Sequence, residues 1–121
     1  MNKKQIFLTK EHRGRSTKGT SFAGRPEGKQ VRSELKFNSL DVDSNEYDII
    51  IPDDTTSFNP SFYLGLLYDS IKKLGWLKFS QKYQFNLSNM PEALQKEIKE
   101  GIEDGERRAK NELEGKTGID I

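Results

Sequence analysis

The sequence IIIPDDTTSFNPSFYLGLLY, residues 49–68, decides the fold. Its three consecutive isoleucines form a β-branched run typical of a buried strand, and a polar turn follows them. An apolar segment with helical spacing begins directly after Asn59-Pro60. Proline suits the first helical position because the N–H that it lacks would have no partner within the helix, and Asn59 can cap the amides behind it. The stretch therefore predicts a strand, a loop and a helix that starts at Pro60.

The loop between this strand and this helix is the first candidate site. A helix N-terminus presents unpaired N–H groups and partial positive charge, here at the carboxyl end of a strand, where open α/β sheets usually bind ligands or partners. A phosphate on Ser61 would be electrostatically favoured at this position. We therefore predict that a partner contacts the loop of residues 53–61 and the helix start through Ser57, Asn59, Ser61, Phe62 and Tyr63.

The composition indicates one domain with a modest core. The chain has 121 residues, of which 32% are hydrophobic and 32% are charged, a balance that favours a small core with solvated segments at the ends. The formal net charge is +1. The molecule as a whole therefore has no field that would attract nucleic acid or an anionic membrane, although local patches remain compatible with this balance.

Several classes of chemistry lack the residues that they need. The chain has no cysteine and a single histidine, His12, which excludes disulfides, thiolate chemistry and sites with two imidazoles. No histidine lies near Ser61 in the sequence to activate it, and Asp53 and Asp54 are more typical of a solvated turn than of an acid–base pair. No segment has the length of a membrane span or the pattern of a signal peptide. We therefore expect a cytoplasmic protein that is not an enzyme and needs no cofactor or metal.

The first half of the chain contains signals for two strands and one helix. Residues 5–9 are apolar enough for a short edge strand, and residues 10–28 predict a basic, glycine-rich loop. Proline and glutamate near its start predict a helix over residues 25–35, and residues 37–44 predict a turn. The isoleucine run predicts that residues 46–51 form the central strand, covered on both faces.

The second half predicts a strand between two helices. The helix after the candidate loop should end at Gly75, and the loose alternation of residues 76–87 predicts a strand with one wet face. Gly101 and Gly105 lie on or beside the apolar stripe of the last helix, which predicts close packing or a kink there. The stripe of that helix comprises Leu94, Ile98, Ile102, Ala109 and Leu113.

Together these elements predict an α/β fold, a small single domain with a mixed sheet of about four strands and helices packed on it. Residues 1–23 would form an N-terminal strand and a basic flexible loop. Residues 24–114 would form the domain itself, and residues 115–121 a disordered tail. The sequence leaves the oligomeric state open.

Two blocks of sequence resemble a known family. The first is Gly24-Arg25-Pro26-x-Gly28-x-x-Val31-Arg32-x-x-Leu35, and the second is Thr56-Ser57-Phe58-Asn59-Pro60-Ser61-Phe62-x-x-Gly65-Leu66. In this order, with a strand between them, they resemble the bacterial STAS-like domain of unknown function over residues 24–87. That family is similar in turn to the STAS domains of anti-sigma factor antagonists and sulfate transporters.

The resemblance implies a non-enzymatic regulatory module that binds a protein partner. In antagonists of the STAS type, the loop before the corresponding helix carries a serine that a kinase-like anti-sigma factor phosphorylates, and the modification controls partner binding. Ser61 matches that position, so the resemblance implies a phosphoserine at Ser61 and an ATP-binding, kinase-like partner. The chain departs from the antagonist pattern at Pro60, which replaces an acidic residue, and at Phe62 and Tyr63, which replace small residues.

A second hypothesis places a nucleotide or nucleic acid on the basic stretch of residues 13–32. Its basic residues are Arg13, Arg15, Lys18, Arg25 and Lys29. Its candidate anion-binding residues are Arg25, Lys29 and Arg32. The structural alternative is that Arg25 and Arg32 hold the first loop against carbonyl groups or against Asp53 and Asp54.

Overall fold

The computed structural model describes residues 3–13 and 19–115. Its strands are β1 (Lys3–Phe7), β2 (Ser21–Phe22), β3 (Glu46–Ile50), β4 (Ser57–Phe58) and β5 (Tyr83–Phe85). Its helices are α1 (Arg25–Glu34), α2 (Phe37–Asp41), α3 (Pro60–Leu74), α4 (Trp76–Lys82) and α5 (Glu92–Leu113), and a short 3₁₀ helix, Lys10–Arg13, follows β1. The fold is therefore α/β, as the sequence predicts.

The strands form two small parallel sheets rather than the single mixed sheet that the sequence predicts. One sheet has the order β1-β3-β5 and the other pairs β2 with β4, and every strand pair among the described residues is parallel. β3 is thus the central strand and β1 lies at an edge, which confirms both predictions. The second sheet was not predictable from apolar runs, because each of its strands is only two residues long.

The central strand is buried on one face only, so the prediction that both faces are covered is wrong. Tyr47 and Ile49 are buried, whereas Asp48 and Ile50 on the opposite face are partly exposed. Asp48 forms an ion pair with Lys3 of the neighbouring strand at 3.1 Å. The second face therefore carries polar cross-strand pairs that remain partly exposed.

The described part of residues 1–23 belongs to the same architecture as the rest of the chain. β1 pairs with β3 and β2 pairs with β4, and the side chains of Leu8, Arg13 and Phe22 are buried. The predicted basic flexible loop includes residues 14–18, and the predicted disordered tail includes residues 116–121. Both of these segments lie outside the described residues.

α3 lies at the centre of the helical part of the molecule. It begins at Pro60 as predicted, with Asn59 at the N-cap, although the Asn59 side chain forms no capping hydrogen bond. α1, α2, α4 and α5 all pack against α3, and its buried side chains share one core with Ile49 and Ile51. It ends at Gly75, where a positive φ of 81° stops the helix, as the sequence predicts.

α1 and α3 approach each other closely because glycine lies at the crossing on both helices. A Cβ atom on Gly28 would lie 2.4 Å from the carbonyl oxygen of Phe62. A Cβ atom on Gly65 would lie 2.1 Å from the carbonyl oxygen of Arg25. Only glycine allows this approach, which holds the beginnings of the two helices side by side.

Residues 37–44 begin with helix α2 instead of the predicted turn. Phe37 is fully buried, and its ring packs against that of Tyr83 with 5.6 Å between the centroids. The preceding residue, Lys36, has a left-handed backbone with φ of 58°, which separates α1 from α2. Burial of one aromatic side chain in the core therefore outweighs the polar, turn-like composition of this segment.

Residues 76–82 form helix α4, so the prediction of a strand from residue 76 is wrong, and only Tyr83–Phe85 is a strand. Phe79 and Tyr83, four residues apart, fit one helix face as well as an alternating strand, whereas Trp76, three residues before Phe79, fits only the helix face. Their rings contact each other in sequence, at 5.6 Å and 5.5 Å between centroids. Leu77, which alternation would place inside, is 73% exposed.

α5 packs along β4 and α3 through its two internal glycines. A Cβ atom on Gly101 would lie 2.0 Å from the carbonyl oxygen of Phe58, and one on Gly105 would lie 2.5 Å from the ring of Tyr63. These glycines therefore allow close packing. Of the two alternatives that the sequence predicts, close packing or a kink, the first is confirmed.

Candidate functional site

The predicted loop lies where α1 and α3 begin. The paired strands β2 and β4 run side by side, and each leads into one of these helices. The backbone N–H of Gly24, just before α1, donates a hydrogen bond to the Oγ atom of Ser61, in the first turn of α3, over 3.2 Å. Ser61 therefore links the two helix beginnings, and both helices direct the positive ends of their dipoles to one surface.

Four residues in or next to the strand pair that precedes these helices carry hydroxyl groups. Thr20 and Thr56 share a hydrogen bond of 2.6 Å between their hydroxyl groups, and the Ser57 hydroxyl donates to that of Ser21 over 2.7 Å. With Ser61 at the start of α3, these four residues place hydroxyl groups on the strand pair that leads into the two helices, and we call the five residues the hydroxyl cluster. The cluster presents oxygen atoms that can donate or accept hydrogen bonds, beside two helix N-termini.

Three of the five predicted contact residues are accessible at this loop. Ser57, Asn59 and Ser61 are partly exposed, and the backbone N–H of Asn59 bonds to the carbonyl oxygen of Phe22 in the neighbouring strand at 2.9 Å. Ser57 thus contacts Ser21 across the strand pair, and Ser61 contacts Gly24 before α1. Thr56 beside them is exposed and available to a partner as well.

The prediction that Phe62 and Tyr63 contact a partner at this loop is wrong, because both side chains are buried. Their side chains are 0% and 1% exposed. The Phe62 ring packs edge-on against Phe22 and Phe58, at 5.2 Å and 5.3 Å between centroids. The first turn of α3 therefore directs its polar residue to the surface and its aromatic residues into the core.

A short repeat in the sequence indicates the part of the hydroxyl cluster that β2 contributes. The tripeptide Thr-Ser-Phe occurs at residues 20–22 and again at residues 56–58. The two copies pair in register, Ser21 with Ser57 and Phe22 with Phe58. Apolar periodicity misses so short a repeat, but a search for repeated tripeptides before a helix start would have found it.

The three candidate anion-binding residues do not converge on an open site. Arg25 forms a bidentate ion pair with Glu112 of α5, with distances of 2.8 Å and 3.2 Å. The hydrogen bonds to Glu112 raise the pKa of Arg25. Lys29 is exposed, whereas Arg32 is buried. Arg25 and Arg32 therefore each pair with a carboxylate of the protein itself. The hypothesis that Arg25, Lys29 and Arg32 together form an anion site is wrong.

Arg32 belongs to a buried polar network that the sequence did not predict. Its guanidinium donates to Asp41 over 2.8 Å and to Ser70 over 2.7 Å. The hydroxyl groups of Ser70 and Tyr83 in turn donate to Asp41, over 2.6 Å and 2.7 Å. Burial and the bond to Asp41 raise the pKa of Tyr83. The network joins α1, α2, α3 and β5, and its satisfied hydrogen bonds indicate a structural role.

Arg13, rather than Arg25 or Arg32, anchors the first loop. Its guanidinium donates to Asp54 over 2.7 Å and to the hydroxyl group of Thr55 over 2.8 Å. The hydrogen bond from Arg13 holds the pKa of Asp54 below its usual value. Asp54 is therefore an ion-pair partner. The hypothesis that arginine side chains hold the first loop against Asp53 or Asp54 is correct for Arg13, but it named Arg25 and Arg32.

Comparisons of the chain with protein-family models, with curated proteins and with solved structures found no match. Within residues 3–13 and 19–115, no group of three or more acidic or histidine side chains is placed to hold a metal ion. No helix in the same residues has the length and apolar character required to cross a membrane.

Proposed function

We propose that this protein is a non-enzymatic regulatory module of the STAS-like kind, and that a protein partner binds the hydroxyl cluster and the beginnings of α1 and α3. Ser61 is the regulated residue of this surface. The single observation that carries the proposal is the hydrogen bond from Gly24 N–H to Ser61 Oγ, which makes one hydroxyl group the link between two helices.

Phosphorylation of Ser61 would change this surface in a defined way. A phosphate adds about two negative charges and three acceptor oxygens beside two helix N-termini, which favour anions. The carboxylate of Glu27 already lies close to Gly24, since a Cβ atom there would be 2.0 Å from its Oε1 atom. The phosphate would repel Glu27 and compete with it for the α1 N-terminus, so the α1 end of the surface would rearrange while the core remains intact.

The resemblance to STAS antagonists supplies the class of partner, an ATP-binding, kinase-like regulator. The exposed groups around Ser61 suit a polar contact that a charge can abolish, because they are hydroxyl groups and backbone amides rather than apolar side chains. Asp53 at the edge of the loop is exposed and extends the surface.

The nucleic-acid hypothesis has less support from the described residues. Arg13, Arg25 and Arg32 are neutralised by Asp54, Glu112 and Asp41 within the fold. Arg15 and Lys18 lie outside the described residues. Phosphate binding requires cations that can release their counterions, and these arginines already have protein partners.

The test combines a phosphomimetic variant with a matched control. Wild type, Ser61→Asp and Ser39→Asp are immobilised and exposed to cytoplasmic extract of the native host with ATP, and bound proteins are quantified by mass spectrometry. Ser39 is exposed on α2, away from the hydroxyl cluster, so it controls for added charge. We expect an ATP-binding protein that wild type and Ser39→Asp retain and Ser61→Asp loses. On longer incubation with ATP, wild type should release this protein, and phosphosite mapping should then locate phosphate on Ser61. Equal retention by all three proteins, with Ser61 unmodified, would contradict the proposal.

A further inference from the structure

A groove of about 750 Å³ lies between α5 on one side and α4 with β5 on the other. α4 and β5 contribute aromatic side chains to its wall, among them Trp76, Phe79 and Phe85. α5 contributes Ile102 and several charged residues. We call this cavity the α4–α5 groove. Its volume is in the range of small-molecule sites, and its aromatic wall is typical of them, although many of its lining residues are polar or charged.

Tyr63 lines the α4–α5 groove and has an unused hydroxyl group. The hydroxyl oxygen is buried and forms no hydrogen bond within the described residues. An unpaired buried hydroxyl group is unfavourable relative to a paired one, because its lost hydrogen bonds to water are not replaced. Most buried polar groups in proteins have a partner, so this one indicates a position where an additional polar atom is stabilising.

The charges beside Tyr63 define what that polar atom should be. Gly105 of α5 packs on the Tyr63 ring, and Glu106 next to it lines the groove together with Glu103. Burial raises the pKa of Glu106, against the effect of Lys110, and the nearby Glu103 raises it further. A cation placed here would relieve the repulsion between the two carboxylates, whereas an anion would increase it.

A cation of the protein itself packs on one of the aromatic walls of the groove. The Nζ atom of Lys110 lies 4.1 Å from the centroid of the Trp76 ring. Nearer the beginning of α5 the groove is lined by Lys96 and Lys99 with Glu92 beside them, so it carries no net negative charge there. Among the residues that line the groove, the α5 residues next to Tyr63 are the carboxylates Glu103 and Glu106, and Lys110 opposes a second cation only from beside the groove, on the Trp76 ring.

We propose that the α4–α5 groove binds a small organic ammonium compound with an aromatic or other apolar body. Its ammonium group donates hydrogen bonds to the Tyr63 hydroxyl oxygen and to the carboxylates of Glu103 and Glu106. Its body packs against Trp76 and Phe79. The groove is separate from the hydroxyl cluster, because Ser61 contacts Gly24 before α1 whereas Tyr63 contacts α5.

The test compares three probes that share one ring and differ in the terminal group. The full-length ¹⁵N-labelled protein is titrated with tryptamine, with tryptophol and with indole-3-propionate, and the amide chemical shifts are followed by NMR. We expect tryptamine to shift the amides of groove residues and to bind about tenfold more tightly than the alcohol, because its hydrogen bonds are charge-assisted. The acid should bind most weakly. Shifts confined to residues outside the groove, or equal affinity for all three probes, would overturn the proposal, as would no shift with tryptamine up to its solubility limit.

Two variants locate the ammonium group. Glu106→Gln should weaken tryptamine binding about tenfold, and Tyr63→Phe should weaken it about threefold, in line with the usual strength of charged and neutral hydrogen bonds. Glu97→Gln, an exposed position elsewhere on α5, is the matched control and should leave affinity unchanged. Equal affinities for wild type and both groove variants would also overturn the assignment. Ser61→Asp should bind tryptamine like wild type, so this test fails or succeeds independently of the phosphoserine proposal.

Discussion

Gly65→Ala should destabilise the protein although alanine is the better helix former. The added Cβ atom would lie 2.1 Å from the carbonyl oxygen of Arg25 and 2.9 Å from the backbone nitrogen of Lys29. Both contacts are to the backbone of α1, which cannot turn aside as a flexible side chain can. The only relief is a movement of α1 away from α3.

The size of the effect follows from that movement. An ordinary contact between these atoms needs about 3.4 Å, so the helices must separate by roughly 1 Å at the crossing. Val31 and Leu66, which are buried, would then lose close packing. Overpacking typically costs about 1–3 kcal/mol, and a clash with backbone belongs at or above the upper end. The higher helix propensity of alanine relative to glycine offsets about 1 kcal/mol of this loss. The expected net loss is about 2 kcal/mol, or about 8 °C in Tm for a chain of this size.

The assay is urea denaturation followed by circular dichroism, with Ser33→Ala as the control. Ser33 is exposed on α1, so its replacement tests helix propensity without a steric change. The Ser33 variant should be as stable as wild type. In the Gly65 variant, the amide signal of Gly24 should also shift, because the helix beginnings no longer meet at Ser61. A Gly65 variant as stable as wild type would refute the close approach of α1 and α3.

Two further predictions concern buried and partly buried carboxylates. Asp41→Asn should lower the free energy of unfolding by about 3–5 kcal/mol, because it leaves the buried Arg32 without its counter-charge; a loss under about 1 kcal/mol in urea melts would contradict the network. Although burial alone would raise it, hydrogen bonds from Lys82 and Tyr47 hold the pKa of Asp43 at about 2, below its ordinary 3.8. The unfolded chain therefore binds more protons in this interval, so the stabilisation present above pH 3.8 should disappear as the pH falls towards 2. Asp43→Asn should lower stability at neutral pH by about 1–2 kcal/mol, a figure reduced for partial exposure, and should flatten this acid dependence in urea midpoints measured against pH.

Local signals in the sequence predicted the central part of the fold. The strand before Pro52, the helix start at Pro60 and its end at Gly75 are each determined by residues that act on their own backbone. Residues 76–82 were mispredicted because Phe79 and Tyr83, four residues apart, satisfy both periodicities, and only contacts with the core select the helix. Leu77, which alternation would place inside, is exposed on that helix.

The sequence was sufficient to predict that Ser61 belongs to the candidate site, but not which residues contact it. The position of Ser61 in the first turn of a helix follows from local capping signals. Its contact with Gly24 joins residues 37 positions apart, and the buried bond between Ser70 and Asp41 joins residues 29 positions apart. No property of one segment specifies such pairs. The burial of Tyr63 depends likewise on the approach of α5.

The sequence by itself determined an α/β domain with a central isoleucine strand, a helix that begins at Pro60 and a serine in its first turn. These features depend on backbone preferences and on apolar runs, which act over a few residues. Only the tertiary structure decided which charges are matched inside the fold, which aromatic side chains are buried, and where the α4–α5 groove lies. Those outcomes depend on distances between segments that are far apart in the chain, and packing of the whole core sets those distances.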